Sequence, residues 1–366
     1  MNRSVRLGAD GKNGLQVLWQ DGDRLFCRGW RHGADGNRRS VLAVLSATEH
    51  PSPASLDRFL HEYALKDELE GTWAVPPLEL VHESGQTMLL LEDCGGEPLA
   101  RLLGAPMEVG SFLRLAVGIA EALGKVHQRG LVHKDIKPGN IIVHSASGEI
   151  RITGFGIAAR LLRERQSPEP PETIAGSLAY MAPEQTGRMN RSIDARSDLY
   201  SLGVTFYQML TGALPFTAAD PMEWVHCHIA KTPMRPGERL QHVPAPISAI
   251  IMKLLAKTAE ERYQTAAGVE SDLRRCLAAW ESAHRSDEFA LGQQDRPDRL
   301  LIPEKLYGRA RELEILLASF DRVVKGGAPE LVLVAGYSGI GIFAMWQCTH
   351  SIGLVAVNGR APVSIW

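Results

Sequence analysis

The segment from His133 to Asn140 constrains the fold of this chain more than any other part of the sequence. It reads His-Lys-Asp-Ile-Lys-Pro-Gly-Asn, so the carboxylate of Asp135, the ammonium group of Lys137 and the carboxamide of Asn140 fall within one short loop. An apolar run at 141–143 follows and is typical of a short strand. Three polar groups of different proton and metal chemistry, gathered beside a strand, indicate a catalytic loop.

Three further motifs follow this loop along the chain. They are Met-Ala-Pro-Glu at 181–184, Ser-Asp-Leu-Tyr-Ser-Leu-Gly at 197–203 and Glu-Arg-Tyr-Gln-Thr at 261–265. Together with the loop, they resemble the catalytic loop, the Ala-Pro-Glu signature, the central large-lobe helix and the paired arginine of the Ser/Thr protein kinase family. The resemblance runs from about residue 14 to residue 280, and the lysine two positions after Asp135 favours the Ser/Thr branch.

This resemblance implies a role for each polar residue of the loop. Asp135 would accept the proton of an incoming hydroxyl group, Lys137 would bind the transferred phosphoryl group and Asn140 would hold Mg²⁺. ATP and Mg²⁺ are therefore the implied cofactors, and a protein is the implied substrate. The implied adenine contacts lie at the end of the fifth strand and are Leu91, Glu92, Asp93 and Cys94.

Other residues match positions that shape the catalytic site in the family. The resemblance assigns structural or regulatory roles to His133, Phe155, Glu62, Ser177, Glu184, Asp198 and Arg262. In the family the rings that match His133 and Phe155 stack on each other. The aspartate that matches Asp198 binds the backbone of the catalytic loop, and the residues that match Glu184 and Arg262 form an ion pair. For Glu62 a second interpretation is a surface ion pair with Lys66, one helical turn away.

The implied fold is α+β and bilobal, with a small β-rich lobe and a larger helical lobe. Alternating runs such as 24–28 and the hairpin signal Asp-Gly-Asp at 21–23 favour strands in the first lobe. We expect a tail at 1–13, a kinase-like domain at 14–280, a linker at 281–303 and a further fragment at 304–366. Within the domain, the small lobe should cover 14–93 and the large lobe 94–280.

Two side chains that the family uses to bind metal and phosphate are missing. Gly154 stands where an Asp binds Mg²⁺, and Val44 stands where a lysine of the third strand binds phosphates. Mg²⁺ takes hard oxygen ligands that usually include one or two carboxylates. Asn140 and Asp135 alone therefore predict only a weak metal site.

The glycine-rich loop of the family is also missing. Gly22 and Gly29 are the nearest glycines, and their spacing does not fit a loop whose backbone amides approach phosphates closely. The candidates to replace the lost lysine are the arginines at 28, 31, 38 and 39. A guanidinium is bulkier and forked, which makes it a poor replacement for an ammonium group.

The C-terminal fragment 304–366 begins like an ATPase domain of the AAA type and then departs from that pattern. A predicted strand at 331–335 leads into Gly-Tyr-Ser-Gly-Ile-Gly, but Ile342 stands where a P-loop needs lysine. Large bacterial signalling proteins join a kinase-like domain, such an ATPase and a sensor histidine kinase in this order. We therefore expect a truncated or frameshifted ATPase start, with a genuine short C-terminus as the alternative, and histidine-kinase or ATPase modules as partners.

Composition narrows the class of partner. The formal net charge of −2 favours no nucleic-acid partner, because a nucleic-acid surface needs a basic excess or patch. The five cysteines, an odd number without a Cys-x-x-Cys pair, favour reduced thiols and a cytoplasmic location. The uncharged stretch 331–359 contains several polar residues and glycines, so we expect no membrane span there.

Three functions remain open at this point. The first is a Ser/Thr-kinase-like signalling module with weak or absent catalysis, acting as the regulatory domain of a sensor-kinase type chain. The second is an active ATP-dependent Ser/Thr kinase that uses Asp135 as the base. The third is an interaction scaffold that binds no nucleotide.

Overall fold

The computed structural model describes residues 16–32, 37–48, 51–83, 86–144, 147–160, 177–187, 192–283 and 288–296, together with the isolated positions 315, 318 and 322. Within these ranges the chain forms a β-rich lobe followed by a helical lobe, as the bilobal interpretation predicts. The tail at 1–13, Ile342 and nearly all of the fragment 304–366 lie outside the described residues.

The small lobe is a five-stranded antiparallel sheet. Its strands are β1 (Gln16–Asp21), β2 (Arg24–His32), β3 (Arg38–Ser46), β4 (Pro77–Glu83) and β5 (Gln86–Glu92), in the order β1-β2-β3-β5-β4. Two residues join β1 to β2, and Gly22 takes the positive φ of +60° that this tight turn requires. The hairpin signal in the sequence is thus confirmed.

Helix α1 (Pro53–Ala64) connects β3 to β4 and packs on one face of the sheet. It begins where Ser52 accepts a hydrogen bond from Ser55 N at 3.2 Å and Pro53 supplies the first helical φ angle. Its inward side buries Phe59 in the same cluster as Val44 of β3. Residues 43 and 45 of β3 face the opposite side of the sheet, as the period of two demands.

The large lobe is mainly helical. Its helices are α2 (Val109–Gln128), α3 (Ala195–Thr211), α4 (Pro221–Ala230), α5 (Pro236–Arg239), α6 (Ala245–Leu254) and α7 (Ala266–Ala283). Five short strands accompany them: β6 (Glu97–Pro98), β7 (Leu131–Val132), β8 (Ile141–Val143), β9 (Ile150–Ile152) and β10 (Ala159–Arg160). The loop 133–140 joins β7 to β8, and Gly154 follows β9, which pairs with β8, so the end of the loop and Gly154 lie side by side.

Helix α3 forms the centre of the large lobe. It is buried along almost its whole length, and its core residues belong to the same apolar cluster as residues of α2, α6 and α7. Asp194 caps its N-terminus by accepting from Arg196 N at 2.8 Å, and Gly212 ends it with a φ of +73°. A helix fixed in this way is a rigid support for residues in its first turn.

Part of the predicted linker 281–303 packs on the large lobe. Helix α7 continues to Ala283, and Phe289 and Leu291 lie against the large-lobe core. The Asp295 carboxylate accepts from Gln264 N at 2.7 Å and Thr265 N at 2.9 Å, which caps the start of α7. The described part of this segment therefore belongs structurally to the lobe.

None of the helices in the described residues is long and apolar enough to cross a membrane.

Candidate active site

The loop 133–140 is held by a buried carboxylate in the first turn of α3. Asp198 accepts from His133 N and from Lys134 N, each at 2.8 Å, and its side chain is fully buried. Lys134 adopts a φ of +68°, a conformation that a non-glycine residue rarely takes without support. The two hydrogen bonds to Asp198 provide that support.

Asp135, Lys137 and Ser177 lie within one network of polar contacts. Ser177 N donates to Asp135 Oδ1 at 3.1 Å, while Lys137 Nζ donates to Ser177 Oγ at 2.7 Å and lies 3.4 Å from Asp135 Oδ2. Asn140 Nδ2 donates to Asp135 Oδ2 at 2.9 Å. The carboxylate is thus oriented by two donors and one cation.

The space beside Gly154 is filled by Asn140. Gly154 has a φ of +84°, and a Cβ built there would lie only 2.6 Å from Asn140 Oδ1. Asn140 is fully buried, and its Oδ1 accepts a hydrogen bond from Arg24 Nη2 at 2.6 Å. The oxygen that the resemblance assigns to Mg²⁺ is therefore bound to a guanidinium.

This arrangement does not fit a resident Mg²⁺ ion. A carboxylate is missing at 154, and a positive guanidinium contacts the one neutral oxygen ligand. Among the residues that the structure describes, no three His, Cys, Asp or Glu side chains form a group that could hold a metal ion. The weak Mg²⁺ role predicted for Asn140 stays a prediction that this geometry does not favour.

Arg24 supplies the positive charge that Val44 cannot. Val44 is buried in the sheet among apolar side chains. Arg24, at the start of β2, places Nη1 3.9 Å from Glu62 Oε2 and Nη2 3.2 Å from Asp21 Oδ2. Burial alone would lower the pKa of Arg24, but Glu62, Asp21 and Asp135 outweigh it and raise that pKa.

Arg24 is not among the four arginines, at 28, 31, 38 and 39, that the sequence offers as replacements for the lost lysine. Three of those have partners elsewhere: Arg28 binds Asp93 at 2.6 Å, Arg31 binds Glu79 at 2.9 Å, and Arg38 lies over the Trp30 ring. Strand alternation nevertheless places residue 24 on the same face as Phe26, which is a usable signal. Phe26 belongs to an apolar cluster, here called the cleft cluster, that consists of Phe26, Leu42, Val44, Phe59, Val75, Leu89, Leu91 and Ile142.

Glu62 is a buried residue of the cleft and not half of a surface pair. It is 3% exposed and accepts from Gly154 N at 3.0 Å. Lys66 instead donates to Tyr63 Oη and lies over that ring. The alternative interpretation of a Glu62–Lys66 surface pair is therefore wrong.

Asp21 is a second residue of this site that the sequence did not reveal. Its carboxylate, at the end of β1, lies 2.9 Å from Lys137 Nζ, and a Cβ on Gly139 would lie 3.0 Å from its Oδ1. Burial would raise the pKa of Asp21, but Lys137 and Arg24 hold it below its ordinary value. The tip of the β1–β2 hairpin is thus tied to the catalytic loop by an ion pair.

The predicted adenine contacts lie where β5 leaves the sheet. Leu91 is buried in the cleft cluster, Glu92 lies 3.6 Å from Arg151, and Cys94 packs against the same cluster. Asp93 accepts hydrogen bonds from Arg28 and Ser40. It therefore ties β2 and β3 to the segment that follows β5, which is the hinge between the two lobes. The cleft cluster joins Phe26 of β2 to Ile142 of β8, so apolar side chains of the two lobes meet beside the hinge.

The remaining predicted residues form two buried contacts. His133 and Phe155 meet edge to face, with ring centroids 4.7 Å apart. Arg262 forms a two-pronged pair with Glu184, with Nη1–Oε1 at 2.6 Å and Nη2–Oε2 at 2.9 Å. The first contact packs beneath the loop, and the second ties the Ala-Pro-Glu motif to the segment before α7.

His228 holds the segment that follows Ser177. Its Nε2 lies 2.8 Å from Leu178 O, which can only accept, so Nε2 carries the proton and Nδ1 accepts from Tyr200 Oη at 3.0 Å. Burial lowers the pKa of His228 to about 4, and the nearby Lys257 adds to the effect. The folded protein therefore requires a neutral imidazole here.

We expect this histidine to make the protein less stable as pH falls from about 6.5 towards 4. In that pH window His228 binds a proton in the unfolded chain but stays neutral in the folded protein. The contribution of His228 to the free energy of unfolding therefore declines by about 3 kcal/mol over the whole window. The measurement is the free energy of unfolding in urea at several pH values. His228→Gln should flatten this part of the profile, whereas His226→Gln, on the exposed side of the same helix, should leave it unchanged. Equal slopes in all three proteins would contradict the assignment.

Comparison with known proteins agrees with this architecture. The model of the protein kinase domain matches residues 37–273. The match begins after β2, so the hairpin that carries Asp21 and Arg24 lies outside it.

Several curated kinases are similar to the chain. It is 37% identical over 251 residues to serine/threonine-protein kinase PknB of Mycobacterium tuberculosis, covering 68% of this chain and 35% of that protein. It is 35% identical over 194 residues to serine/threonine-protein kinase Pkn1 of Myxococcus xanthus, covering 52% and 27%. It is 27% identical over 324 residues to hybrid signal transduction histidine kinase G of Dictyostelium discoideum, covering 65% and 9%. The chain thus spans about a third or less of the length of these relatives, and it belongs to the protein kinase domain family.

Proposed function

We propose that this chain is a Ser/Thr-kinase-like signalling module with weak or absent phosphotransfer. The observation that carries the proposal is the cation in the metal position, where Arg24 Nη2 lies 2.6 Å from Asn140 Oδ1 beside a glycine that has no carboxylate. In the family, Mg²⁺ bridges phosphate oxygens and neutralises the charge that develops during transfer. The residues present offer that ion no adequate site.

We further propose that the module regulates a longer signalling chain. Its support is the similarity to a protein named as a hybrid signal transduction histidine kinase, over 65% of this chain. The P-loop-like sequence at 336–341 also favours a following ATPase module. Such modules, or a protein substrate, are the proposed partners.

One arrangement favours the second candidate, an active Ser/Thr kinase. Asp135, Lys137 and Ser177 are oriented together, and Arg24 brings a cation near Glu62. Such a kinase would bind ATP and use Asp135 as the base. The third candidate is a scaffold that binds no nucleotide. It is favoured by the ion pair between Asp21 and Lys137, because the Asp21 carboxylate already binds the lysine that would otherwise bind a phosphoryl group.

Phosphate transfer from radiolabelled ATP to the protein itself and to a general Ser/Thr substrate distinguishes these candidates. Loss of one preorganised electrostatic contact costs about 10²–10³ in rate. We therefore expect transfer in Mg²⁺ to be at least about 100-fold below the 1–100 s⁻¹ typical of kinases. A rate within that range would establish the second candidate instead.

A further inference from the structure

The segment 288–296 runs back along helix α7 and docks on the large lobe at three points. Near its start, the guanidinium of Arg275 lies over the Phe289 ring, with Cζ 4.1 Å from the ring centroid. In its middle, Gly292 N donates to Asp272 Oδ2 at 2.7 Å. Near its end, a carboxylate caps the start of α7. A segment that forms neither helix nor strand is thus held along its whole length.

The carboxylate of Asp295 fits so closely against α7 that it requires a glycine there. The hydroxyl group of Thr265 donates to Asp295 Oδ1 at 2.9 Å, in addition to the two backbone donors. A Cβ built on Gly268, in the first turn of α7, would lie 2.5 Å from Asp295 Oδ1. Alanine at 268 would favour the helix by itself but would exclude the docked carboxylate. The residue at this position therefore suits the docked segment and not the isolated helix.

The Glu-Arg-Tyr-Gln-Thr motif connects this cap to the Ala-Pro-Glu motif. Arg262 binds Glu184 on one side of the motif, and the backbone of Gln264 binds Asp295 on the other. Arg196 lies between them, because its Nη1 donates to Gln264 Oε1 at 3.2 Å and its carbonyl oxygen accepts from Arg262 Nη1 at 3.0 Å. A continuous set of hydrogen bonds therefore runs from the docked segment to the Ala-Pro-Glu motif.

The first turn of α3 extends these contacts to the catalytic loop. Arg196 belongs to that turn, as does Asp198, which binds the backbone of the loop. Ser197 lies between the two and donates to Glu184 Oε1 at 2.7 Å. One turn of helix thus contacts the loop, the Ala-Pro-Glu motif and the residues that hold the docked segment.

We propose that residues 288–296 form a latch, which stabilises the Ala-Pro-Glu motif while it is docked on α7 and loosens that motif when it is released. The inference rests on the proposed function, because a latch has a regulatory role only in a longer signalling chain. Seven residues, 297–303, separate the latch from the fragment that begins at 304. Movement of a module in that position would pull on the latch, which supplies a route from the following module to the catalytic lobe.

Hydrogen exchange of the full chain, measured by mass spectrometry, tests this coupling. Asp295→Ala removes the cap, and Phe289→Ala removes the apolar contact at the other end of the latch. Each substitution should raise the exchange rate of the latch at least about tenfold, since hydrogen bonds to a charged group or a buried ring are lost. Each should also raise the exchange rate of residues 177–187 at least about fivefold, the lower range of a coupling between sites.

Two internal controls accompany these variants. Glu288→Gln removes an exposed charge from the same segment and should change neither exchange rate by more than about twofold. Exchange within 113–123 of helix α2, a buried part of the large-lobe core, should stay at the wild-type rate in every variant. An unchanged rate there verifies that the lobe remains folded.

Gly268→Ala tests the docking with an effect of the opposite sign. If the latch were not docked, alanine would raise the melting temperature, because it is the better helix former. We expect a lower melting temperature and faster exchange of the latch, because the new Cβ displaces Asp295. Gly124→Ala, in α2, is the matched control. Its Cβ would lie 3.9 Å from Ala266 Cβ, an ordinary contact, so its melting temperature should not fall.

Three results would overturn the proposal. The first is a raised melting temperature in Gly268→Ala. The second is faster exchange of the latch in Asp295→Ala without faster exchange of 177–187. The third is an effect of Asp295→Ala on 177–187 that Phe289→Ala does not share, because Asp295 would then be only a local cap. None of these measurements uses phosphate transfer, so the detection of fast transfer would contradict the proposed function and leave the latch in place.

Discussion

Arg262→Ala is expected to lower the free energy of unfolding by about 3–5 kcal/mol, because it leaves a buried carboxylate without its cation. The Arg262 side chain is fully buried and that of Glu184 is 3% exposed. After the substitution Glu184 keeps the hydrogen bond from Ser197 Oγ at 2.7 Å but loses both guanidinium contacts. Burial would raise the pKa of Glu184, and it is Arg262 that holds that pKa below its ordinary value.

Urea denaturation followed by circular dichroism measures this loss at neutral pH. Arg235→Ala is the matched control, because Arg235 also faces a glutamate, Glu238, but that pair is exposed and 4.0 Å apart. Exposed pairs contribute about 0–1 kcal/mol, so the control should lose no more than that. If the two variants lost similar amounts, the buried pair would not be the support that the geometry indicates.

Gly154→Asp is the second large effect, since it restores the family's residue at a position that no longer has room for it. The new Cβ would lie 2.6 Å from Asn140 Oδ1 at a φ of +84°. Overpacking costs about 1–3 kcal/mol and a left-handed backbone about 1–2 kcal/mol. We expect the free energy of unfolding to fall by about 2–4 kcal/mol and phosphate transfer to stay at the wild-type level.

Gly148→Asp separates the two causes of that loss. Gly148 has a similar φ of +73°, but nothing lies within 4 Å of a Cβ built there. This control should lose only the backbone part, about 1–2 kcal/mol. Equal losses of stability in the two variants would show that the Asn140 side chain moves aside readily. Mg²⁺-dependent transfer by Gly154→Asp would show that a single carboxylate restores the metal site. Both results together would contradict the prediction.

The local motifs allowed much of the site to be predicted. The loop 133–140, the Ala-Pro-Glu segment and the arginine at 262 each occur in a short pattern with a fixed structural partner. Their contacts follow from the kinase resemblance, as the bonds of Asp198 to the loop backbone illustrate. The bilobal arrangement is likewise what the kinase resemblance implies.

The contacts of the hairpin could not be predicted in this way. Asp21 and Lys137 are 116 positions apart in sequence, and their contact depends on how far the hairpin bends towards the large lobe. Arg24 can be identified only from the alternation of β2, which places residue 24 on the same face as Phe26. Likewise, the polar composition of 281–303 indicated a linker, whereas the contacts of Phe289 and Asp295 come from only two side chains in that segment.

We propose that Asp135 is held in an oriented loop that nevertheless lacks the metal chemistry for fast transfer. The most direct test is single-turnover phosphate transfer in Mg²⁺ by the wild type and by Asp135→Asn, whose amide keeps the shape but is no base. We predict that wild-type transfer is slow and that the substitution lowers its rate by less than about tenfold. General-base catalysis typically contributes about 10²–10⁴ to the rate of a working enzyme. A much smaller effect is expected here because Asp135 would not act as a base. Fast wild-type transfer that Asp135→Asn reduces by 100-fold or more would contradict this proposal and identify a working kinase.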